Sequence, residues 1–98
     1  MPTMSYVLSD AQVADQLSAL PEWSGSSAEI RRDVTFGAYL TGIDAVRRVA
    51  EIAEAANHHP DIDIRWRRVT FVLSTHSAGG VTTADLEMAR RIDEVLAG

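Results

Sequence analysis

The sequence has no cysteine among its 98 residues. This absence excludes a disulfide framework, a thiolate metal site and a cysteine nucleophile. Basic side chains are also few, since nine Lys and Arg residues stand against 14 Asp and Glu residues and the formal net charge is −5. Direct nucleic-acid binding requires a basic surface that neutralises phosphates, so no nucleic-acid partner is expected.

Long apolar runs are absent as well. No run approaches the roughly 20 apolar residues that cross a bilayer, and the N-terminus lacks a basic stretch followed by an apolar run. We therefore expect no membrane association and no signal peptide, and we expect a single cytoplasmic domain over residues 1–98. A chain of this length buries only about 60–65% of its unfolded surface, so self-association would add to a modest core.

Two of the three predicted helices begin at a capping box, in which an N-cap residue and the residue three positions later satisfy each other's backbone N–H groups. Ser9 and Gln12 open the first helix, which is expected to end at Pro21. Thr82 and Asp85 open the last helix, so Asp85 is expected to cap it. Apolar residues at helical spacing follow each box, at Val13, Leu17 and Leu20 in the first helix and at Leu86, Ala89, Ile92 and Leu96 in the last.

The long middle helix has a clear end and an open start. Apolar residues recur at helical spacing from residue 43 to residue 53. The helix begins either at a capping box from Thr41 to Asp44 or earlier, near Ala38. Pro60 disfavours helical geometry at the residue before it, so the helix is expected to end before His59.

Alternating apolar residues predict two pairs of strands. A short strand begins at Trp23, a turn covers residues 25–27, and a second strand runs from Glu29 to Phe36 with Arg32 interrupting its apolar face. The order of elements is then helix, two strands, helix, two strands, helix. This order predicts an α+β fold in which three helices cover one face of a four-stranded antiparallel sheet.

The second strand pair changes its alternation along the chain. Apolar residues 62, 64 and 66 share one parity, and apolar residues 69, 71 and 73 share the other. A two-residue turn at Arg67–Arg68 explains the change and pairs residue 66 with 69, 64 with 71 and 62 with 73. A bulge in one longer strand is the competing interpretation, because Arg-Arg is a poor sequence for a tight hairpin turn.

The three histidines lie in two short segments. His58 and His59 stand where the middle helix ends, and His76 follows a strand. Histidine titrates nearest neutrality, so this grouping indicates a site that moves protons. Glu54 precedes His58 by one helical turn and could orient it. The alternative is that these histidines are structural or solvated, as isolated histidines in such places usually are.

Three further predictions concern the residues around the histidines. Asp85 could hold the loop of His76 in addition to capping its helix. Trp23 and Trp66 are expected in the core, with an aromatic wall for a flat ligand as the alternative. A zinc site formed by the histidines with Asp61 or Asp63 is not expected, because neighbouring histidines seldom share one ion and the spacing matches no usual ligand pair.

Taken in order, these residues form one pattern: Glu54, three residues, His58-His59-Pro60, five residues, Trp66, nine residues, His76, eight residues and Asp85. The pattern resembles that of the pterin-4a-carbinolamine dehydratase family, and the similarity extends over nearly all of the chain after residue 8. The resemblance implies a metal-independent enzyme without a cofactor. Its reaction removes water from 4a-hydroxytetrahydropterin to give quinonoid dihydropterin, in tetrahydropterin recycling.

The resemblance also implies roles for individual residues. It gives a catalytic role to His58, His59 and His76 and a supporting role to Glu54 and Asp85. The residues expected beside the pterin are Asn57, Pro60, Trp23, Ser74, Thr75 and Ser77. Many family members have an acidic residue where Ser77 stands, so a carboxylate contact at that point is not carried over.

The partners implied by the resemblance are a pterin substrate, further copies of the chain in a homodimer or homotetramer, and an aromatic amino acid hydroxylase pathway. Family members in animals also act as dimerisation partners of a homeodomain transcription factor. A non-enzymatic scaffold that binds a protein through a helix face is therefore the alternative function. A scaffold would tolerate loss of all three histidines, whereas the enzyme would not.

Overall fold

The computed structural model describes residues 6–98, so the first five residues of the predicted domain lie outside the described residues. Its four strands form one antiparallel sheet in the order β1-β2-β4-β3. The elements in chain order are α1 (Asp10–Leu17), β1 (Ser24–Gly25), β2 (Ile30–Thr35), α2 (Tyr39–Ala56), β3 (Asp61–Arg65), β4 (Arg68–Leu73) and α3 (Thr83–Ala97). The predicted α+β fold and its element order are confirmed.

Helix α1 begins as predicted and ends earlier than predicted. The Ser9 N–H donates to Oε1 of Gln12 at 2.9 Å, and the Gln12 N–H donates to Oγ of Ser9 at 3.1 Å, which completes the capping box. The helix ends at Leu17 rather than at Pro21. Tighter turns follow it, since the N–H of Leu20 donates to the carbonyl of Leu17 at 3.0 Å, and these turns carry Leu20 into the core.

Helix α2 takes the earlier of its two predicted starts. It begins at Tyr39 with Ala38 as an N-cap that makes no side-chain bond, and Asp44 pairs with Arg48 at 3.3 Å instead of serving a cap. The helix ends before His59 as predicted. The physical stop is Asn57, whose φ of 50° lies in the left-handed region that asparagine tolerates better than most residues.

The β3–β4 hairpin turns one residue earlier than predicted. Its two-residue loop is Trp66–Arg67, so Ile64 pairs with Val69 and Ile62 pairs with Phe71. The predicted turn at residues 67 and 68 was wrong. The apolar residues of the two strands still share one face, because the pairing moved by two positions and the side-chain period of a strand is two. Trp66 lies in the turn with a φ of 54° and is 70% exposed, so the expectation that it lies in the core was wrong. The Arg67 guanidinium lies 4.2 Å from its ring centroid.

The core lies between the helices and one face of the sheet. Its buried side chains come from all three helices, from the apolar face of β2 and β4, and from the connecting segments at residues 20, 23 and 81: Val13, Leu20, Trp23, Ile30, Val49, Val69, Phe71, Leu73, Val81, Leu86, Met88, Ala89 and Ile92. Arg32, the charge on this face, pairs with Asp93 of α3. The indole N–H of Trp23 donates to the same carboxylate oxygen at 2.7 Å.

The other face of the sheet carries charged side chains. Asp33 on β2 accepts the hydroxyl of Thr70 at 2.6 Å and a guanidinium N–H of Arg68 at 3.1 Å. The Thr70 hydrogen bond and then the Arg68 contact lower the pKa of Asp33 below its ordinary value.

Among residues 6–98, no helix combines the length and the apolar character needed to cross a membrane.

Candidate active site

Asp85 is the centre of the hydrogen-bond network around the histidines. Its side chain is fully buried in the first turn of α3. Its Oδ2 atom accepts the backbone N–H of Thr82 at 2.9 Å and the hydroxyl of Thr75 at 2.8 Å. Its Oδ1 atom lies 2.6 Å from Nε2 of His58. The predicted capping role of Asp85 is confirmed, and Asp85 also holds the base of the loop that carries His76.

The burial of this carboxylate indicates that Nε2 of His58 is the ring nitrogen that carries a hydrogen. An ionised carboxylate only accepts hydrogen bonds and is costly to bury unless donors surround it. The three contacts of Asp85 therefore come from donors, and Nε2 of His58 carries a hydrogen that it gives to Oδ1. The Nδ1 atom of His58 is then the ring nitrogen left for other chemistry. This tautomer follows from the hydrogen-bond partners.

Local backbone geometry places His58 over the start of α3. The left-handed turn at Asn57 lets the N–H of His58 donate to the carbonyl of Ala53 at 3.1 Å, which closes the end of α2. The side chain of His58 is 18% exposed. It borders a hollow of about 280 Å³ between the end of α2 and α3. The other residues lining this hollow are Ala55, Ala56, Ala84, Glu87, Met88 and Arg91.

His59 and Glu54 form a separate pair. Nε2 of His59 lies 2.7 Å from Oε1 of Glu54, and both side chains are exposed, at 55% and 82%. The expectation that Glu54 orients His58 was wrong. The reason is the left-handed Asn57, which breaks the helical spacing and turns His59 rather than His58 toward Glu54. An exposed pair of this kind holds a side chain only weakly.

His76 lies in a tight turn between β4 and α3. Thr75 and Gly80 pair across the base of this turn, with the N–H of Thr75 donating to the carbonyl of Gly80 at 2.9 Å. Gly79 has a φ of 85°, which glycine adopts without steric cost. The His76 side chain is exposed, and no residue in the described part of the chain makes a hydrogen bond with its ring.

The network thus joins some predicted site residues and leaves others apart. It brings together His58, Asp85 and Thr75. His76 directly follows Thr75 in the chain and is connected to the network through that peptide bond. Among residues 6–98, His59 pairs with Glu54 alone, and neither His59 nor His76 lines the hollow beside His58.

The remaining predicted binding residues lie at the surface, with one exception. Asn57 and Ser77 are exposed, Pro60 is half-buried between α2 and β3, and the hydroxyl of Ser74 donates to the carbonyl of Ala28 at 3.0 Å. Trp23 is 4% exposed and packs in the core, so it offers no ring face to a ligand. The substrate-binding expectation for Trp23 is not carried forward.

Sequence reasoning missed the side of the site formed by α3. Thr82 adds a hydroxyl to the Asp85 network, with its Oγ1 atom 2.8 Å from that of Thr75. Ala84, Met88 and Arg91 line the hollow and recur at helical spacing after the cap, which was the signal available. Within residues 6–98, no three histidine, aspartate or glutamate side chains are grouped as a metal ion would require.

The fold and the site define an α+β protein in which a buried aspartate of one helix holds a histidine at the end of another. The family model for pterin 4 alpha carbinolamine dehydratase matches residues 6–95 of the chain. The chain therefore belongs to the pterin 4 alpha carbinolamine dehydratase family, as its motif indicated.

Relatives from several bacteria agree with this assignment. A protein of Mycobacterium sp. (strain KMS) is 62% identical over 90 residues, which cover 92% of this chain and 96% of that protein. It is provisionally named pterin-4-alpha-carbinolamine dehydratase. A protein of Nocardia farcinica with the same provisional name is 57% identical over 89 residues, which cover 91% of this chain and 94% of that protein.

Two solved structures share the fold. A transcriptional coactivator/pterin dehydratase from Brucella melitensis has a TM-score of 0.84 and 31% identity, and the match covers 90% of this chain and 96% of that chain. A pterin dehydratase-like protein described as a RuBisCO assembly factor in the alpha-carboxysome has a TM-score of 0.61 and 22% identity, over 74% of this chain and 84% of that chain. The second similarity concerns the fold alone.

Proposed function

We propose that the protein removes water from a 4a-hydroxytetrahydropterin to give the quinonoid dihydropterin, without a metal, in tetrahydropterin recycling. Family membership and the names of the relatives support this reaction. The observation that carries the assignment to this site is the contact of 2.6 Å between His58 and the buried Asp85. A histidine held by a buried carboxylate presents its other ring nitrogen in a fixed direction, as proton transfer requires.

The reaction needs an acid for the leaving hydroxyl and a base for the proton on N5. In the proposed mechanism, His58 in its imidazolium form gives its Nδ1 proton to the hydroxyl on C4a. The bond between C4a and oxygen breaks, water leaves, and the N5 lone pair forms the double bond from N5 to C4a. His59 takes the proton from N5, and His76 is a second acid near the hydroxyl.

Asp85 supports this chemistry in two ways. It fixes the ring of His58 by accepting its Nε2 hydrogen, and its negative charge balances the imidazolium that donates the proton. Glu54 acts on His59 rather than on His58 in this scheme, because it lies 2.7 Å from Nε2 of His59. Asn57, Pro60, Ser74 and Ser77 are proposed to border the pterin, and the protein is proposed to work in the cytoplasm as a homodimer or homotetramer.

The test is a stopped-flow assay of 4a-hydroxytetrahydropterin dehydration. We expect His58→Ala and His76→Ala each to lower the rate, and the loss of general acid catalysis sets a scale of about 10²–10⁴-fold. The variant with all three histidines changed to alanine should retain only the uncatalysed rate. If His58→Ala and His76→Ala both dehydrate the substrate at the wild-type rate, the assignment is wrong.

A protein-binding scaffold is the second candidate function. The Brucella melitensis relative is described as a transcriptional coactivator as well as a pterin dehydratase. The start of α2 also presents exposed apolar side chains, with Tyr39 48% exposed and Leu40 73% exposed. Leu40→Ser separates the two functions, because it should leave the dehydration rate unchanged and should weaken binding of a protein through this helix face.

A further inference from the structure

The hydroxyl of Thr75 lies between two other oxygen groups and gives its only hydrogen to one of them. Its Oγ1 atom lies 2.8 Å from Oδ2 of Asp85 and 2.8 Å from Oγ1 of Thr82. A hydroxyl has one hydrogen, and a carboxylate has none to give. Thr75 therefore donates its hydrogen to Asp85 and accepts the hydrogen of Thr82.

The backbone of Thr75 fixes a second structure. Its N–H donates to the carbonyl of Gly80 at 2.9 Å, and its own carbonyl accepts the N–H of Gly79 at 2.9 Å. These bonds close the turn of residues 76–79, whose first residue is His76. The side chain of Thr75 therefore ties this turn to the carboxylate that holds His58.

We propose that Thr75 is a positioning residue that fixes the two histidines of the site relative to each other. Its side chain acts on His58 through Asp85, and its backbone acts on His76 through the turn. The consequence for catalysis rests on the proposed function, but the positioning itself does not. Thr75 acts in this role through Asp85 and the turn, since its only hydroxyl hydrogen already goes to Asp85.

Valine at this position keeps the branched shape of threonine and removes the hydroxyl. Asp85 then loses one of its donors, and the side-chain bond between the base of the His76 turn and α3 is broken. We expect Thr75→Val to shift the Nε2 proton signal of His58 in NMR spectra of histidine-labelled protein. We also expect kcat for dehydration to fall by about tenfold with little change in KM, since misplacement of a catalytic group acts on the transition state.

Two further variants separate positioning from a general loss of structure. Thr75→Ser keeps the hydroxyl and should restore both the His58 signal and kcat. Thr70→Val is the matched control, because Thr70 on β4 also donates its hydroxyl to an aspartate, at 2.6 Å, on the opposite face of the sheet. It should leave the His58 signal and kcat at their wild-type values. If Thr75→Val does not fold, Thr75→Ala is measured in its place.

The His58 signal decides the positioning role. A wild-type His58 signal in Thr75→Val, or failure of Thr75→Ser to restore it, would overturn the proposal. If the signal moves as expected while the wild-type protein does not dehydrate the substrate, positioning stands and the proposed function fails. If the signal moves and kcat does not, positioning again stands and its predicted effect on catalysis is refuted.

Discussion

Replacement of Asp85 by asparagine tests the site at its centre, because it changes the chemistry of the side chain and keeps its size. Asp85 accepts from three donors, namely the N–H of Thr82, the hydroxyl of Thr75 and Nε2 of His58. An amide has only one accepting oxygen, so its NH2 group must face one side of this network. Since two donors meet at Oδ2, the oxygen is expected to remain there and the NH2 group to face His58.

The size of the effect follows from that geometry. The variant loses one charge-assisted hydrogen bond, which contributes about 1.5–3 kcal/mol, so the free energy of unfolding should fall by about this amount. Nε2 of His58 must then accept rather than donate, which places the ring hydrogen on Nδ1 and removes the charge that balances an imidazolium. We expect kcat for dehydration to fall by about 10²–10⁴-fold, the usual contribution of a general acid.

Urea unfolding measures the stability, and the stopped-flow dehydration assay measures kcat. Asp93→Asn is the matched control on the same helix, because Asp93 also accepts side-chain donors, from Trp23 and Arg32, but lies outside the histidine network. It should lose stability and keep its kcat. If Asp85→Asn loses stability but keeps kcat within about threefold of the wild type, Asp85 is a helix cap only and the reasoning about His58 fails.

Three further predictions concern acid stability and backbone conformation. The pKa of Asp33 is lowered chiefly by the Thr70 hydroxyl, so its contribution is complete above the unfolded value of 3.8 and is lost as the pH falls through the lower folded pKa. Asp33→Asn should therefore reduce the free energy of unfolding that is lost on acidification by less than about 1 kcal/mol, as measured by urea unfolding at a series of pH values. A loss equal to that of the wild type would contradict this prediction. At Asn57, whose φ is 50°, alanine should cost about 1 kcal/mol in thermal unfolding relative to glycine, and equal stabilities would refute a left-handed helix end. Gly25→Ala should cost more than about 1 kcal/mol, because φ is 142° and the new Cβ would overlap a backbone carbonyl oxygen, whereas Gly37→Ala, with nothing within 4 Å, should be tolerated.

The parts of the fold that the sequence predicted best depend on contacts within a few residues. Both capping boxes, at Ser9 and at Thr82, link residues three positions apart, so the pattern contains all of their partners. The end of α2 before His59 was also predicted, although Pro60 was the signal and the left-handed Asn57 is the structural cause. Hydrogen bonds and backbone conformation within a few residues mark these features in the sequence.

Features that depend on choices between similar local structures were predicted less well. The hairpin loop uses Trp66–Arg67, although tryptophan is an unfavourable residue for a φ of 54°. The observed register pairs Ile64 with Val69, whereas the predicted one paired Ile64 with Phe71. Both registers place these residues on the same face of the sheet, so the alternation of apolar residues could not distinguish them.

Several residues of the Asp85 network were named from the sequence, but their connections were not, and neither was the side of the site formed by α3. Spacing along a helix suggested that Glu54 would contact His58, but the partner of His58 is Asp85, 27 residues away along the chain. A contact of this kind depends on how α2 and α3 pack, which no pattern within one helix specifies. The three histidines and Asp85 were selected from the motif and Thr75 from the family resemblance, and only the structure assigns the hydrogen bonds that join His58 and Thr75 to Asp85.

One carboxylate both begins α3 and holds His58, and this has a consequence for the motions of the molecule. Helix ends fray more readily than helix centres, and each time the first turn of α3 unwinds, the imidazole loses its anchor. The opening of that turn and the release of the ring are therefore one event. The rate of amide hydrogen exchange at residues 83–86 would report how often the ring is released. A compound that binds the imidazole of His58 should slow this exchange, although it contacts none of those amides.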